Sequence, residues 1–471
     1  MKAIAKKSVL SGHITVPGSK SHTIRALILA AMADGISHIS NPLPSNDCLS
    51  TAAAVRKIGA DVDFGNSENE AGNSDGSSAG NSNENSAEKS AGNSAGGTVW
   101  TVKGAGAGLH LPDGEIDVGN SGSLMYFLCP VLSTLSGECT FTGDESICRR
   151  PVNHLIDALC QLGADARSLK GGETPPFSFC GPIDVNRTLV TEGALSQYIS
   201  GFMMAASRLN GTLKMELWNP KETPYLTMTK LWLESVGVPV NISSDFKKIS
   251  VTGPVPFKAF DRAVPSDWEG VAFPLIAALI SGSEIVIDNV DGSGSQGDDK
   301  IVEVLQSVGA DIEWKRDEEK LIVRGRKTLS TKNLPGGELV VEMSAFPDAI
   351  CALAVIACFI EGKTVFTDID ICRKKETDRI KAMTSELTNL GAKIVDEGER
   401  LVVYGDGGKS LHGGEVESFK DHRIVMSLAC MGLGLNEGEK ITVNDAEWCS
   451  VTFPYFFEVM NKIGANFEII Q

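Results

Sequence analysis

Apolar residues follow two rhythms that alternate along the chain. In "DRIKAMTSELTNLGAKIV", Ile380, Met383, Leu387 and Leu390 fall three or four apart, the stripe of an amphipathic helix. Beyond Gly391 the apolar positions alternate as in a strand. "HLIDALCQLGADA" shows the same change of period at Gly163. The junction recurs six times, as "IGADVDF", "LGADARS", "VGVPVNI", "VGADIEW", "LGAKIVD" and "IGANFEI", with Gly59, Gly163, Gly237, Gly309, Gly391 and Gly464 at the turn. Glycine suits a helix C-terminus because it takes the left-handed conformation without a Cβ clash. Five of these glycines lie roughly 72 to 82 residues apart, and the first pair roughly 104. A low-complexity stretch of about 33 residues between that pair accounts for the excess. Chance recurrence of a common helix–Gly–strand junction explains two copies, not six at near-constant spacing. The pattern predicts six α/β units of about 72 residues each.

The low-complexity stretch is residues 65–97, "GNSENEAGNSDGSSAGNSNENSAEKSAGNSAGG". It holds almost no apolar side chain, so it cannot bury enough surface to offset the entropy of ordering and is read as a solvated, disordered insertion. The remainder is ordinary globular material: 471 residues, 42% hydrophobic, enough for two domains with full-sized cores. A formal net charge of -17 argues against a general nucleic-acid or acidic-lipid surface, and makes local clusters of cations read as pockets. No apolar run long enough for a membrane span and no leader pattern is visible, so a cytoplasmic protein is expected. Eleven cysteines show no CxxC pair and no cluster at metal-ligand spacing, and are read as reduced thiols, mostly in the core.

Candidate chemistry gathers at helix starts. "PGSKSHTIRALILAA" places Lys20, Ser21 and Arg25 at one of them, with Ser21 and Arg25 four apart and so on one face. It is not a nucleotide P-loop, because Ser19 separates Gly18 from Lys20 and no glycine stands five positions earlier. "GNSGSLMYF" opens another helix through small residues, "RRPVNHL" sets Arg150 before Pro151, and "LSQYISGF" begins with Ser196 and Gln197. "RKKETDRIKAM" brings Lys375, Glu376 and Arg379 together, and "DHRIVMSL" adds His422 and Arg423. A cation at a helix N-terminus opposes the macrodipole and costs up to about 1 kcal/mol unless an anion compensates. If those helix N-termini converge, repetition of this placement predicts one strongly positive pocket for a small polyanion. Taken alone, Asp348 reads as a helix N-cap and Glu376 as the i+3 partner of Arg379.

"PGSKSHTIRALILAA", "GNSGS", "RRP", "SQY", "TPY", "FPDAI", "KKETDRI", "DHR" and "TFP" occur in an order and spacing that resembles the EPSP synthase (3-phosphoshikimate 1-carboxyvinyltransferase) family. The resemblance covers the chain apart from the low-complexity stretch. It implies a two-domain inverse α/β barrel of the enolpyruvyl transferase type, with six βαβαββ units and pseudo-threefold symmetry in each domain. Residues 1–19 plus 265–471 would form one discontinuous domain and 20–264 the inserted one, with crossings near Ser19 and Val264. The implied reaction moves the carboxyvinyl group of phosphoenolpyruvate to the 5-hydroxyl of shikimate 3-phosphate and releases phosphate, without metal or organic cofactor. This is a step in the shikimate route to chorismate and aromatic amino acids, in a family of monomers.

By motif position, Lys20, Asn120, Gly122, Arg150, Gln197, Arg379 and Arg423 would surround phosphoenolpyruvate. Lys20, Ser21, Arg25, Ser196, Gln197, Tyr225, Asp348 and Lys375 would hold shikimate 3-phosphate. Asp348 would be the base at the attacking hydroxyl, with Glu376 and Lys20 handling the other proton transfers. Gly122, lacking a Cβ, would leave room beside the phosphoenolpyruvate phosphate, which implies inhibition by glyphosate.

Several positions depart from the pattern of well-known members. Leu195 stands where a serine is common, Ile371 where an asparagine is, Val451 where a lysine is and Tyr126 where an arginine is. Glu222 replaces a serine expected at the acceptor phosphate, where a carboxylate about 4 Å from one phosphate charge would cost about 4 kcal/mol at an effective dielectric of 20. Glu222 is therefore expected to be turned away or neutralised by Lys221 or Arg25. The other readings are transfer to another acceptor, UDP-N-acetylglucosamine or a non-phosphorylated alcohol, and a non-catalytic binding paralogue. UDP-N-acetylglucosamine enolpyruvyl transferases carry a cysteine where this chain has Glu145, and a protein that only binds has little need of Asp348 and Glu376. Deleting residues 65–97 should leave turnover within about twofold in a steady-state assay, as expected of solvated filler; a larger loss would give the segment a role.

Overall fold

The computed structural model of the chain describes residues 1–65 and 98–471. All but the first residue of the low-complexity stretch, and with it the expectation of disorder, lies outside the described residues. The rest forms six four-stranded sheets with one shared topology. In one of them Glu338–Glu342 runs parallel to Gly362–Thr367, Arg400–Gly405 follows antiparallel, and Lys393–Asp396 closes the far edge. Val365 faces Val340 on one side and Val402 on the other. Helices Ile350–Phe359 and Arg379–Asn389 make the two crossovers, which gives the order βαβαββ.

Two repeats in the first unit and one in the second join segments far apart in sequence. Lys2–Lys6 completes the sheet of Gly414–Val416, Lys440–Val443 and Glu468–Ile470. Ser11–Thr15 pairs in parallel with Glu284–Asp288, and Asp261–Ala263 with Ile36–Ser40. This follows from a chain that leaves one compact unit after Pro17 and returns to it at Pro265. That first unit comprises Met1–Pro17, Lys221–Thr227 and Pro265–Gln471, and the second Gly18–Pro220 and Met228–Val264. The segment Lys221–Thr227 packs with the first unit although it falls within residues 20–264, because its side chains bond there, as described below.

The strands alternate buried and exposed positions, as in Lys2–Lys6 and Glu284–Asp288, so each sheet has one apolar face to cover. The first helix of each repeat supplies the cover. In the first unit Trp268–Ser281, Ile350–Phe359 and His422–Leu433 pack on one another and are buried almost throughout. In the second unit Lys20–Met32, Gly122–Leu132 and Ser196–Ala206 do the same. These helices have almost no solvent face, and the few polar side chains within them, such as Arg25 and Ser200, are buried and hydrogen-bonded. The second helices, such as Asn153–Gln161, bury only one stripe.

All six junction glycines adopt left-handed backbone, with φ of 106°, 97°, 87°, 99°, 90° and 104° from Gly59 to Gly464. The repeat read from the chain is thus a repeat of backbone conformation. All eleven cysteines are free, but Cys160 and Cys180 are exposed, so the core reading does not extend to them. Among the described residues no helix is long and apolar enough to cross a membrane.

Close helix packing in the second unit depends on Gly201. A Cβ there would lie 2.1 Å from the Tyr126 carbonyl oxygen and 2.8 Å from Pro130 Cγ. Pro130, inside the neighbouring helix, has no N–H for that carbonyl, which is left facing Gly201. Helix propensity alone favours alanine over glycine by about 1 kcal/mol. Gly201→Ala should nevertheless destabilise by about 1–3 kcal/mol through overpacking, read as a lowered urea midpoint at unchanged slope.

Candidate active site

In the first unit the site is built on two capped helices. Asp378 accepts the Lys381 N–H at 3.0 Å and starts the helix Arg379–Asn389. Asp421 accepts the Arg423 N–H at 2.9 Å and starts His422–Leu433. Asp421 is wholly buried, and its carboxylate also receives Arg379 Nε at 2.8 Å. One acid therefore terminates one helix and anchors the first residue of another. The remaining Arg379 donors reach Asp348 and, at 2.6 Å, Glu376. The guanidinium is fully buried and shared among three carboxylates.

Asp348 lies in the turn Pro347–Ala349 ahead of the helix Ile350–Phe359. No side chain caps that helix, so the N-cap reading does not hold; the carboxylate faces cations instead. It has Arg379 on Oδ1, Lys375 Nζ at 3.3 Å from Oδ2 and Arg423 Nε at 3.4 Å. The i+3 pair of Glu376 with Arg379 is present as expected. Burial by itself pushes the Asp348 carboxyl up, and Lys375 and Arg379 outweigh it, so the pKa lies below the ordinary aspartate value although Glu376 opposes them. Burial likewise disfavours charge on Lys375, yet Asp348 and Glu222 raise its pKa well above the ordinary lysine value.

Glu222 is 2% exposed and bonds Lys375 Nζ at 2.7 Å. Its neutraliser is thus Lys375, and not Lys221, which pairs with Asp368. Glu222 sits at φ +50°, a strained setting for a residue with a Cβ, held by a hydrogen bond from its N–H to the Ser344 carbonyl at 2.9 Å. Tyr225, in the first turn of Thr223–Ser235, donates to Glu269 at 2.6 Å, and Glu269 pairs with Arg423. Six carboxyl groups, those of Glu222, Glu269, Asp298, Asp348, Glu376 and Asp421, thus surround Lys375, Arg379, Arg423 and Tyr225. In this unit the helix-start cations Lys375, Arg379 and Arg423 are each paired with acids.

In the second unit Ser121 caps the helix Gly122–Leu132 by accepting the Leu124 N–H at 3.2 Å. Arg150 donates to Asn120 Oδ1 and Ser146 Oγ, each at 3.0 Å, and Asn120 in turn donates to Asp144 at 2.6 Å. A Cβ on Gly122 would lie 3.5 Å from Arg150 Nη1, which places Asn120, Gly122 and Arg150 in one group. Lys20, at the first position of its helix, pairs with the buried Asp47 at 3.3 Å. Arg25 is 1% exposed and ties the three central helices together. It donates to the Ser21 carbonyl at 3.0 Å, to Thr229 at 2.8 Å and to Ser200 at 3.4 Å, and lies 4.4 Å over the Phe127 ring. Ser196 and Gln197 open the helix that carries Ser200. The Tyr126 ring lies 5.2 Å from that of His154, tilted by 39°, and burial lowers the His154 pKa to about 4.

Asp298, Glu269, Asp47 and Asp144 were not anticipated. They lie in ordinary loop or helix sequence, and only the fold brings them to the charged residues. Asp421 stood within the "DHR" motif, and an aspartate directly before an apolar helix is a cap signal that pointed to it. Among the described residues no group of His, Cys, Asp and Glu is placed to hold a metal ion.

Known proteins resemble this chain over its length. The family model for EPSP synthase (3-phosphoshikimate 1-carboxyvinyltransferase) matches residues 4–96 and 93–460. A 3-phosphoshikimate 1-carboxyvinyltransferase of Ruminiclostridium cellulolyticum is 34% identical over 465 residues, 99% of each chain. One of Methanocaldococcus jannaschii is 32% identical over 469 residues, again 99% of each. A solved structure of EPSP synthase from Acinetobacter baumannii superposes with a TM-score of 0.79 at 27% identity, covering all of both chains.

Removing the Arg379 side chain leaves the carboxylates of Asp348, Glu376 and Asp421 without their shared cation. Arg379→Ala should cost about 3–5 kcal/mol in chemical denaturation. The depressed Asp348 pKa contributes stability above the unfolded aspartate pKa of about 4, and this is lost as pH falls through the folded value. In Arg379→Ala that acid loss should begin at higher pH.

Proposed function

The chain belongs to the EPSP synthase family, and on that premise we propose that it transfers the enolpyruvyl group of phosphoenolpyruvate to the 5-hydroxyl of shikimate 3-phosphate. The observation that carries the assignment of roles is Asp348, a carboxylate kept ionised among Lys375, Arg379 and Arg423. An ionised carboxylate can accept the proton of an attacking hydroxyl. Its depressed pKa makes it a weak base while the cations face it, since base strength falls with pKa. Anionic substrates compete with Asp348 for those cations, so binding them raises its basicity. Substrate charge and acid–base readiness are thereby linked.

Phosphoenolpyruvate is protonated at C3, the 5-hydroxyl oxygen bonds to C2, and Asp348 takes the hydroxyl proton. The tetrahedral adduct then loses a proton from C3 and expels phosphate, which restores the double bond. Glu376 and Lys20 exchange the C3 and phosphate protons. Arg379 and Arg423 hold the donor's anionic groups together with Lys20, Asn120, Gly122, Arg150 and Gln197. Ser21, Arg25, Ser196, Tyr225 and Lys375 hold the acceptor. Fixed cations stabilise the charge that develops on the departing phosphate. The enzyme works as a cytoplasmic monomer, and glyphosate competes with phosphoenolpyruvate.

Phosphate release should appear with phosphoenolpyruvate plus shikimate 3-phosphate, and not with unphosphorylated shikimate or UDP-N-acetylglucosamine. Asp348→Asn should lower kcat by about 10²–10⁴. Release only with UDP-N-acetylglucosamine, or no release with any of these acceptors, would sink the proposal.

A further inference from the structure

Asp298 lies in the turn Gly297–Lys300, is 2% exposed, and belongs to no motif singled out in the chain. Glycine precedes it for a steric reason: a Cβ on Gly297 would lie 2.5 Å from Pro224 Cγ and 2.8 Å from the Ala345 carbonyl oxygen. That close approach brings the Asp298 carboxyl against Tyr225. Oδ2 is 3.3 Å from the phenol oxygen, while Oδ1 is buried without a hydrogen-bond partner.

A phenol has one proton to give. Tyr225 gives it to Glu269, at 2.6 Å, and Glu269 is a carboxylate because it is paired with Arg423. The second oxygen–oxygen contact of Tyr225, with Asp298, therefore lacks a proton unless Asp298 supplies it. The charged groups facing Asp298 from the packed elements are Asp348 and Asp267, both acids, with Lys375 as the opposing cation. A further buried anion beside these acids would have to share Lys375, which Glu222 and Asp348 already hold.

We propose that Asp298 is a positioning residue that stands in the folded protein as a neutral carboxylic acid, donating its proton to the Tyr225 oxygen and so orienting, through Glu269, the guanidinium of Arg423. The relay runs from Asp298 O–H to Tyr225, from Tyr225 O–H to Glu269, and from Glu269 to Arg423. Burial, Asp348 and Asp267 push the Asp298 carboxyl well above its ordinary pKa and outweigh the Tyr225 hydrogen bond and the charge of Lys375, which act the other way. The importance of Arg423 for turnover rests on the donor-binding role given to it above, whereas the protonation of Asp298 does not.

Two measurements test this without any substrate, so their failure is distinct from failure of the catalytic reading. In the wild-type protein near pH 7, infrared difference spectra against Asp298→Asn should show a protonated-carboxyl C=O stretch that the variant lacks. Where the unfolded chain is ionised at Asp298 and the folded chain is not, the native state binds one more proton, so stability falls as pH rises. The ratio of the wild-type to Asp298→Asn unfolding constants should accordingly grow by about tenfold per pH unit above roughly pH 4. A ratio independent of pH, or a spectrum without that band, overturns the proposal. Should Asp298→Asn not fold, Tyr225→Phe takes its place: removing the acceptor oxygen should shift the same band to higher frequency, and an unmoved band overturns the proposal.

Discussion

The molecule is organised by the need to bury helices that have almost no solvent-exposed face. A four-stranded sheet with alternating burial can cover only part of an all-apolar helix, so one repeat cannot stand alone. Three repeats in each unit pack their first helices on one another and surround them with three sheets. Polar side chains are then confined largely to the ends of those helices. Lys20, Gly122, Ser196, Asp348, His422 and Arg423 all stand at or just before such an end. The chemistry gathers where the packing leaves room for it.

Burying charge at those ends sets the second constraint. Arg379 has no solvent and is held by three acids, and the capping carboxylate of Asp421 serves a helix terminus and the guanidinium at once. A buried ion cluster of this kind adds little net stability over an apolar one, but breaking it is expensive, so it fixes geometry. The cations Lys375, Arg379 and Arg423 thus each carry acids as partners.

Glu222 shows how a departure from a motif is absorbed. A carboxylate where the resemblance implies a phosphate-binding serine would be unfavourable as an isolated change. With the left-handed backbone at Glu222 directing it to Lys375, its charge is spent on a cation that also faces Asp348. Glu222 thereby enters the electrostatics of Asp348 through the shared Lys375.

The sequence by itself determined the repeat, because its marks are local: a glycine that must take positive φ ends each helix, and a change of hydrophobic period follows it. It also determined the helix-start residues, since Lys20, Asp348, Glu376, Arg379 and Arg423 lie in short motifs that need no partner to be recognised. Only the tertiary structure decided which acid each cation meets. Asp298, Glu269 and Asp47 are far in sequence from Tyr225, Arg423 and Lys20, respectively, and carry no periodic or turn signal that reports the pairing. Charge state depends on burial and on neighbours within a few ångströms, and a linear chain specifies neither until it has folded.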